Sequence, residues 1–168
     1  MLLTGTFVRS LDEKQRFSLP KPVRDALGAT PDSVLFLAPG TDGSLSLYPA
    51  DAFSQLAAQL AQDSPTAQDV RAFSRLFYAQ AQRVEMDRQA RIRIPAELAR
   101  LADLEREIVL VGVRDHLELW NRSRWEAYLV DKQTRYDEIA ERVFERPTSP
   151  ANESTCAPPR SQVPQQPR

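Results

Sequence analysis

Asp12 and Arg16 stand four residues apart, and the same pair returns 75 residues later as Asp87 and Arg91. A guanidinium carries a rigid fork of N–H donors that grips a phosphate or a guanine edge in a bidentate way, which lysine cannot reproduce. Further cations crowd the same segments: Lys14 in the first loop, Arg88 in the second, Arg93 beyond Arg91, and Arg9, Lys21, Arg24 and Arg83 in flanking positions. Between Arg83 and Arg100 five arginines stand against Glu85, Asp87 and Glu97, a net positive stretch in a chain of formal charge −1. This is the chemistry of anion binding, and it makes Lys14, Arg16, Arg88, Arg91 and Arg93 candidate DNA contacts. A structural account competes with it, in which Asp12 and Asp87 order the loops through Asx-type bonds and each arginine neutralises its aspartate. The strands that follow favour binding, because Arg16, Arg91 and Arg93 fall opposite the apolar residues and project outward.

Catalytic groupings are scarce. His116 is the only histidine, and Ser44 fills its place in the other copy, so a structural or surface role is expected for it. Cys156 is the only cysteine and lies in a proline-rich tail, which leaves no histidine and cysteine set for zinc and no nucleophile–base–orienter triad. Five glycines form no phosphate-cradling run, and no carboxylate lies in an apolar setting that would raise its pKa. The expectation is a non-enzyme with no metal, no cofactor and no small-molecule substrate.

The elements that must carry the charged loops are legible from periodicity. Phe17 and Leu19 alternate with Arg16 and Ser18, and Ile92 and Ile94 alternate with Arg91 and Arg93, the period of a strand with one buried face. Pro20 and Pro95 then open short helices, Lys21 to Leu27 and Ala96 to Leu101. Two strands follow in each copy: Val34 to Leu37 and Ser44 to Tyr48, then Glu107 to Val113 and His116 to Trp120, the latter pair joined by a tight turn at Arg114-Asp115. Leu45-Ser46-Leu47-Tyr48 matches Leu117-Glu118-Leu119-Trp120 at an offset of 72, three fewer than before, which fits a longer turn around Gly40 to Gly43 in the first copy. Longer helices are expected from a cap at Asp51 to about Gln62, from near Thr66 to Gln82, and as one helix from about Ser123 to Phe144.

The expected organisation is therefore a first repeat over 1–64, a linking helix over 65–82, a second repeat with its C-terminal helix over 83–146, and a disordered tail over 147–168. That tail holds six of the thirteen prolines and has little apolar surface to offset its ordering entropy. The longest aliphatic run, Ile108 to Val113, is about a third of a bilayer span, and the opening residues lack the pattern of a secretory signal. A cytoplasmic protein with no membrane partner is expected.

Two copies of an Asp-x-x-x-Arg loop, each followed by an alternating strand and a proline, together with the opening strand Leu3 to Leu11 and Leu117-Glu118-Leu119-Trp120, resemble the MraZ family of bacterial transcriptional regulators. The resemblance covers about residues 1 to 145. It implies an α+β fold in which two AbrB-like repeats interlock into a swapped-hairpin, double-psi type β-barrel with peripheral helices. It also implies a nucleoid-associated homo-oligomeric ring that binds double-stranded DNA at short tandem boxes upstream of its own division and cell-wall operon. By position, Asp12, Arg16, Asp87, Arg91 and Lys14 match the family's motif residues. Family members usually carry glycine before the motif arginine, where this chain has Gln15 and Ala90. An ordinary L-residue at positive φ costs about 1–2 kcal/mol, so these loops either turn differently or hold strain. An oligomeric protein-interaction scaffold without DNA binding is the alternative function.

Overall fold

A computed structural model describes residues 2–62 and 68–145. The proline-rich stretch 147–168 with Cys156, and the expected helix start at Thr66, lie outside the described residues. The chain divides into two compact units, residues 1–130 and residues 131–168. In the first unit the first copy runs β1 (Thr6–Ser10), β2 (Arg16–Ser18), α1 (Lys21–Leu27), β3 (Val34–Pro39), β4 (Leu45–Pro49) and α2 (Ala50–Gln62). After α3 (Gln68–Gln80) the second copy repeats the order as β5 (Gln82–Glu85), β6 (Arg91–Arg93), α4 (Ala96–Leu101), β7 (Glu107–Val113), β8 (His116–Asn121) and α5 (Arg122–Gln133). The boundary between the units falls within α5, and α6 (Tyr136–Phe144) lies in the second unit.

Strand pairing crosses between the copies at four places, and only the hairpins β3–β4 and β7–β8 pair within a copy among the described strands. A six-stranded sheet has the order β1-β7-β8-β4-β3-β5, so each copy lends its first strand to the other copy's hairpin. Thr6 pairs with Val111 on one side, and Val34 with Glu85 on the other. The central strands β4 and β8 pair antiparallel with Ser46 opposite Glu118, and the separate ribbon of β2 and β6 pairs Phe17 with Ile92. In both cases a residue faces its own counterpart in the repeat. Only a local two-fold relation between the copies allows that.

The period-2 residues explain why the pairing is locked. Phe17 and Ile92 are 1% and 0% exposed, and they close onto Leu35, Leu37, Leu45, Leu47, Leu110 and Leu117 in one continuous core. A one-residue slip of either ribbon strand would turn an arginine into that core and an aromatic or aliphatic side chain into water. Burying each large apolar side chain contributes roughly 1.5–3 kcal/mol. The core thus lies behind the two charged loops and holds them from beneath.

Three local expectations change. Pro20 and Pro95 sit at the cap just before helical position one, with φ −58° and −59°, where the extended ψ of 144° and 138° suits the exit from a strand. Asp51 is inside the first turn of α2, which begins at Ala50, so it faces the helix dipole without capping it. The single helix expected from Ser123 to Phe144 is two helices. Arg135 leaves helical geometry at φ −114°, its N–H bonds the Lys132 carbonyl at 3.1 Å, and the Thr134 hydroxyl donates to the Asp131 carbonyl at 3.1 Å. The polar stretch from Asp131 to Arg135 has no apolar side chain whose burial would hold a straight helix through it. Strand β5 had no clear signal, because Val84 is its only apolar residue, and pairing with β3 supplies its order.

His116 follows the structural expectation. Its ring stacks on Tyr48 with centroids 4.8 Å apart, its Nδ1 lies 2.8 Å from Asp115 Oδ1, and its Nε2 lies 3.8 Å from Glu118 Oε1. Burial pulls the imidazole pKa down, but bonds to Glu118 and Asp115 outweigh it and leave the pKa raised. The sign follows directly. Stabilisation from this group is fully present below the ordinary imidazole value of about 6.5 and is lost as pH climbs through the raised folded value. As the chain's only histidine, its one set of ring resonances should titrate above 6.5 by NMR, and Glu118→Gln should move that midpoint down. A midpoint at or below the peptide value would refute the arrangement.

Candidate nucleic-acid interface

The two loops are built alike, bond for bond. In the first, Asp12 Oδ1 accepts the N–H groups of Lys14 and Arg16, both at 2.9 Å, while Oδ2 takes Arg16 Nε at 2.8 Å and Nη2 at 2.7 Å. In the second, Asp87 Oδ1 accepts from Gln89 at 2.8 Å and Arg91 at 2.9 Å, and Oδ2 takes Arg91 Nε at 2.9 Å and Nη2 at 2.8 Å. Each aspartate thus ties the loop backbone and one edge of the motif guanidinium together. The arginine's other N–H groups stay available. Arg16 hydrogen bonding depresses the Asp12 pKa, and Arg91 does the same for Asp87. Loop order from these carboxylates is therefore present above the ordinary aspartate value and lost as pH falls through the lowered one.

The glycine question resolves toward strain. Gln15 and Ala90 both have φ of 58°, in the left-handed region. The reason lies in the other copy: the Gln15 carbonyl accepts the Ile94 N–H and the Ala90 carbonyl accepts the Leu19 N–H, each at 2.8 Å. Positive φ aims each loop apex at the residue before the opposite copy's proline, and those cross-copy bonds hold the conformation. Gln15→Gly should therefore stabilise the chain by less than about 1 kcal/mol, since relief of left-handed strain exceeds glycine's added unfolded-state entropy only slightly. Thermal unfolding checks this, and a marked fall in Tm would contradict it.

The tertiary structure distributes the five candidate cations in a way that loop spacing alone does not show. Arg16 lies directly across the ribbon from Arg93, and Arg91 lies across from Ser18. Lys14 and Arg88 are not counterparts: Lys14 matches Gln89, and Arg88 matches Glu13. Arg16 and Arg91 are committed to their aspartates, with side chains 27% and 28% exposed. Among the described residues Lys14, Arg88 and Arg93 have no side-chain ion pair. Arg93 lines a shallow cleft with Arg83, Val84, Glu85 and Pro95, but Glu85 is already bonded to Arg83 at 3.0 Å. Asp12 balances the charge of Arg16, so Arg93 opposite it is the ribbon cation left without a side-chain ion pair among the described residues. No group of three or more histidine, cysteine, aspartate or glutamate residues among the described residues is placed to hold a metal ion.

What sequence reasoning missed is the cross-ribbon neighbourhood of Arg16 and Arg93. The only signal for it was the repeat itself, because two-fold pairing of Phe17 with Ile92 forces the rest of the register.

Comparison with known proteins matches the same span. A family model described as "MraZ protein, putative antitoxin-like" matches twice, over residues 2–76 and 77–147. The chain is 37% identical over 141 residues to a Transcriptional regulator MraZ of Lactiplantibacillus plantarum, covering 84% of this chain and 97% of that one. It is 38% identical over 144 residues to a Transcriptional regulator MraZ of Alkaliphilus oremlandii, covering 86% and 98%. A Transcriptional regulator MraZ of Finegoldia magna is 34% identical over 140 residues, covering 83% and 95%.

Proposed function

This chain belongs to the MraZ family, and from that we propose that it is a transcriptional regulator that binds double-stranded DNA sequence-specifically through its two Asp–Arg loops and the ribbon between them. The observation that carries the reading is the ribbon face. Arg16, Arg91 and Arg93 share it, Lys14 and Arg88 flank it, and Lys14, Arg88 and Arg93 have no counter-ion within the described residues. Asp12 and Asp87 are the loop-ordering residues.

The finer reading is that several copies assemble into a ring that presents many loop pairs. Tandem boxes upstream of its own division and cell-wall operon would engage several at once and repress it. A net charge of −1 supports this, because weak single-site binding then needs avidity, and effective concentration supplies avidity without new contacts. The cross-copy exchange of β1 and β5 supports an interlocked double-psi barrel, with α3 (Gln68–Gln80) linking the two repeats. No described helix is long and apolar enough to cross a membrane. A cytoplasmic, nucleoid-associated protein is consistent with DNA as its partner.

One observation favours the scaffold alternative: both motif arginines are bound to their aspartates, as purely structural turns would have them. A titration against duplex from upstream of the gene, at several salt concentrations and with one, two or three boxes, separates the two readings. A regulator shows affinity that falls steeply with salt and rises with box number. Equal affinity for one box and three would sink the avidity mechanism, and no affinity at all would leave the scaffold.

A further inference from the structure

The exposed face of the β2–β6 ribbon carries four side chains: Arg16, Ser18, Arg91 and Arg93. The two-fold relation through Phe17 and Ile92 exchanges Arg16 with Arg91 and Ser18 with Arg93. Three corners are arginine and one is serine. Register puts Arg93 across from Arg16, so one end of the ribbon carries two arginine residues, one of them paired with Asp12, while the other carries Arg91 and Ser18. We propose that this inequality of Ser18 and Arg93 fixes the direction in which duplex DNA lies across the ribbon, so that the site prefers one orientation of a sequence over its reverse. The inference rests on the DNA-binding function proposed above.

The backbone does not create the difference. Both loops have the same bonds within 0.1 Å and the same φ of 58° at Gln15 and Ala90. Symmetrical backbones alone would accept a duplex in either direction. The side chains break the tie twice over. On the ribbon, the extra cation sits at the Arg16 end. On the loops the pattern is reversed: the formal charges of Glu13 and Lys14 sum to zero in the loop that carries Arg16, whereas Arg88 adds a positive charge to the loop that carries Arg91. The cations are therefore staggered, on the ribbon at one end and on the loop at the other. A duplex turned end for end would bring phosphates to the serine corner, where a neutral hydroxyl releases no counterion, and base edges to the wrong guanidinium pair.

The test is the double exchange Ser18→Arg with Arg93→Ser in the full chain, which moves the arginine to the opposite end without changing composition or net charge. Selection from randomised duplexes should give the wild type a sequence that is not self-complementary. The exchanged variant should select a different one, bind the wild-type sequence at least about tenfold more weakly, and keep the same salt slope. Arg93→Ser alone, which makes the ribbon face symmetric, serves if the exchange impairs folding, and it should bind with its orientation preference weakened to what the unequal loops supply. A self-complementary wild-type sequence, or a preference unchanged by either variant, overturns the orientation role while leaving DNA binding intact. No selectable sequence for the wild type overturns sequence-specific DNA binding as well.

Discussion

Replacing Lys14, Arg88 and Arg93 together with neutral residues is expected to remove most DNA affinity while leaving thermal unfolding unchanged or slightly raised. These three have no side-chain ion pair among the described residues, so their loss breaks no internal bond. Each phosphate contact contributes about 0.9 to the slope of log K against log salt. Loss of three should therefore flatten that slope by roughly 2.7 for every engaged subunit. Anisotropy titrations at a series of salt concentrations measure this directly. Arg16→Ala and Arg91→Ala should behave differently, lowering stability along with affinity, because each empties the bidentate seat on its aspartate. If the triple variant keeps its salt slope, phosphates are not what these cations bind.

A second large effect is expected from beneath the ribbon. Phe17 is 1% exposed and faces Ile92, so Phe17→Ala should cost about 3–5 kcal/mol through lost burial and the cavity left behind. A domain of this size has roughly 5–15 kcal/mol in total, so the loss takes a large share of it. Ile92→Val removes one methylene at the same seam and should cost only about 0.5–1.5 kcal/mol. Both variants keep every charged residue. DNA binding should then track the folded fraction, with Ile92→Val near wild type and Phe17→Ala losing affinity at temperatures where it unfolds. Urea denaturation followed by binding below the midpoint separates the terms. A Phe17→Ala cost under about 1 kcal/mol would mean that the ribbon is not anchored by this pair.

Much of the architecture could be inferred from order along the chain, because the forces involved are local. Alternation around Phe17 and Ile92 marked strands, and Pro20 and Pro95 marked helix starts, since both depend on a few adjacent residues. The doubled Asp-x-x-x-Arg spacing located the loops for the same reason: one carboxylate reaches backbone and guanidinium within four residues. The 75-residue repeat of the Asp–Arg pair implied that both loops are built on the same spacing. Strand β5 and the break at Arg135 escaped, because one needs β3 as a pairing partner and the other turns on backbone geometry without a proline or glycine to announce it.

The tertiary structure decided what depends on residues far apart meeting. It showed that β1 and β5 change places between copies, a choice set by which apolar faces close one core. It showed that Gln15 and Ala90 hold positive φ without glycine, because carbonyls aimed across the copies gain bonds that offset the strain. It also placed Arg93 against Arg16 and left Ser18 against Arg91, which no spacing along the chain encodes. Sequence determined the two charged loops and the strands that carry them, since short-range bonding and period-2 burial define both. How their cations are arranged toward a ligand came only from the register of the packed ribbon, because register is fixed by long-range burial of Phe17 against Ile92.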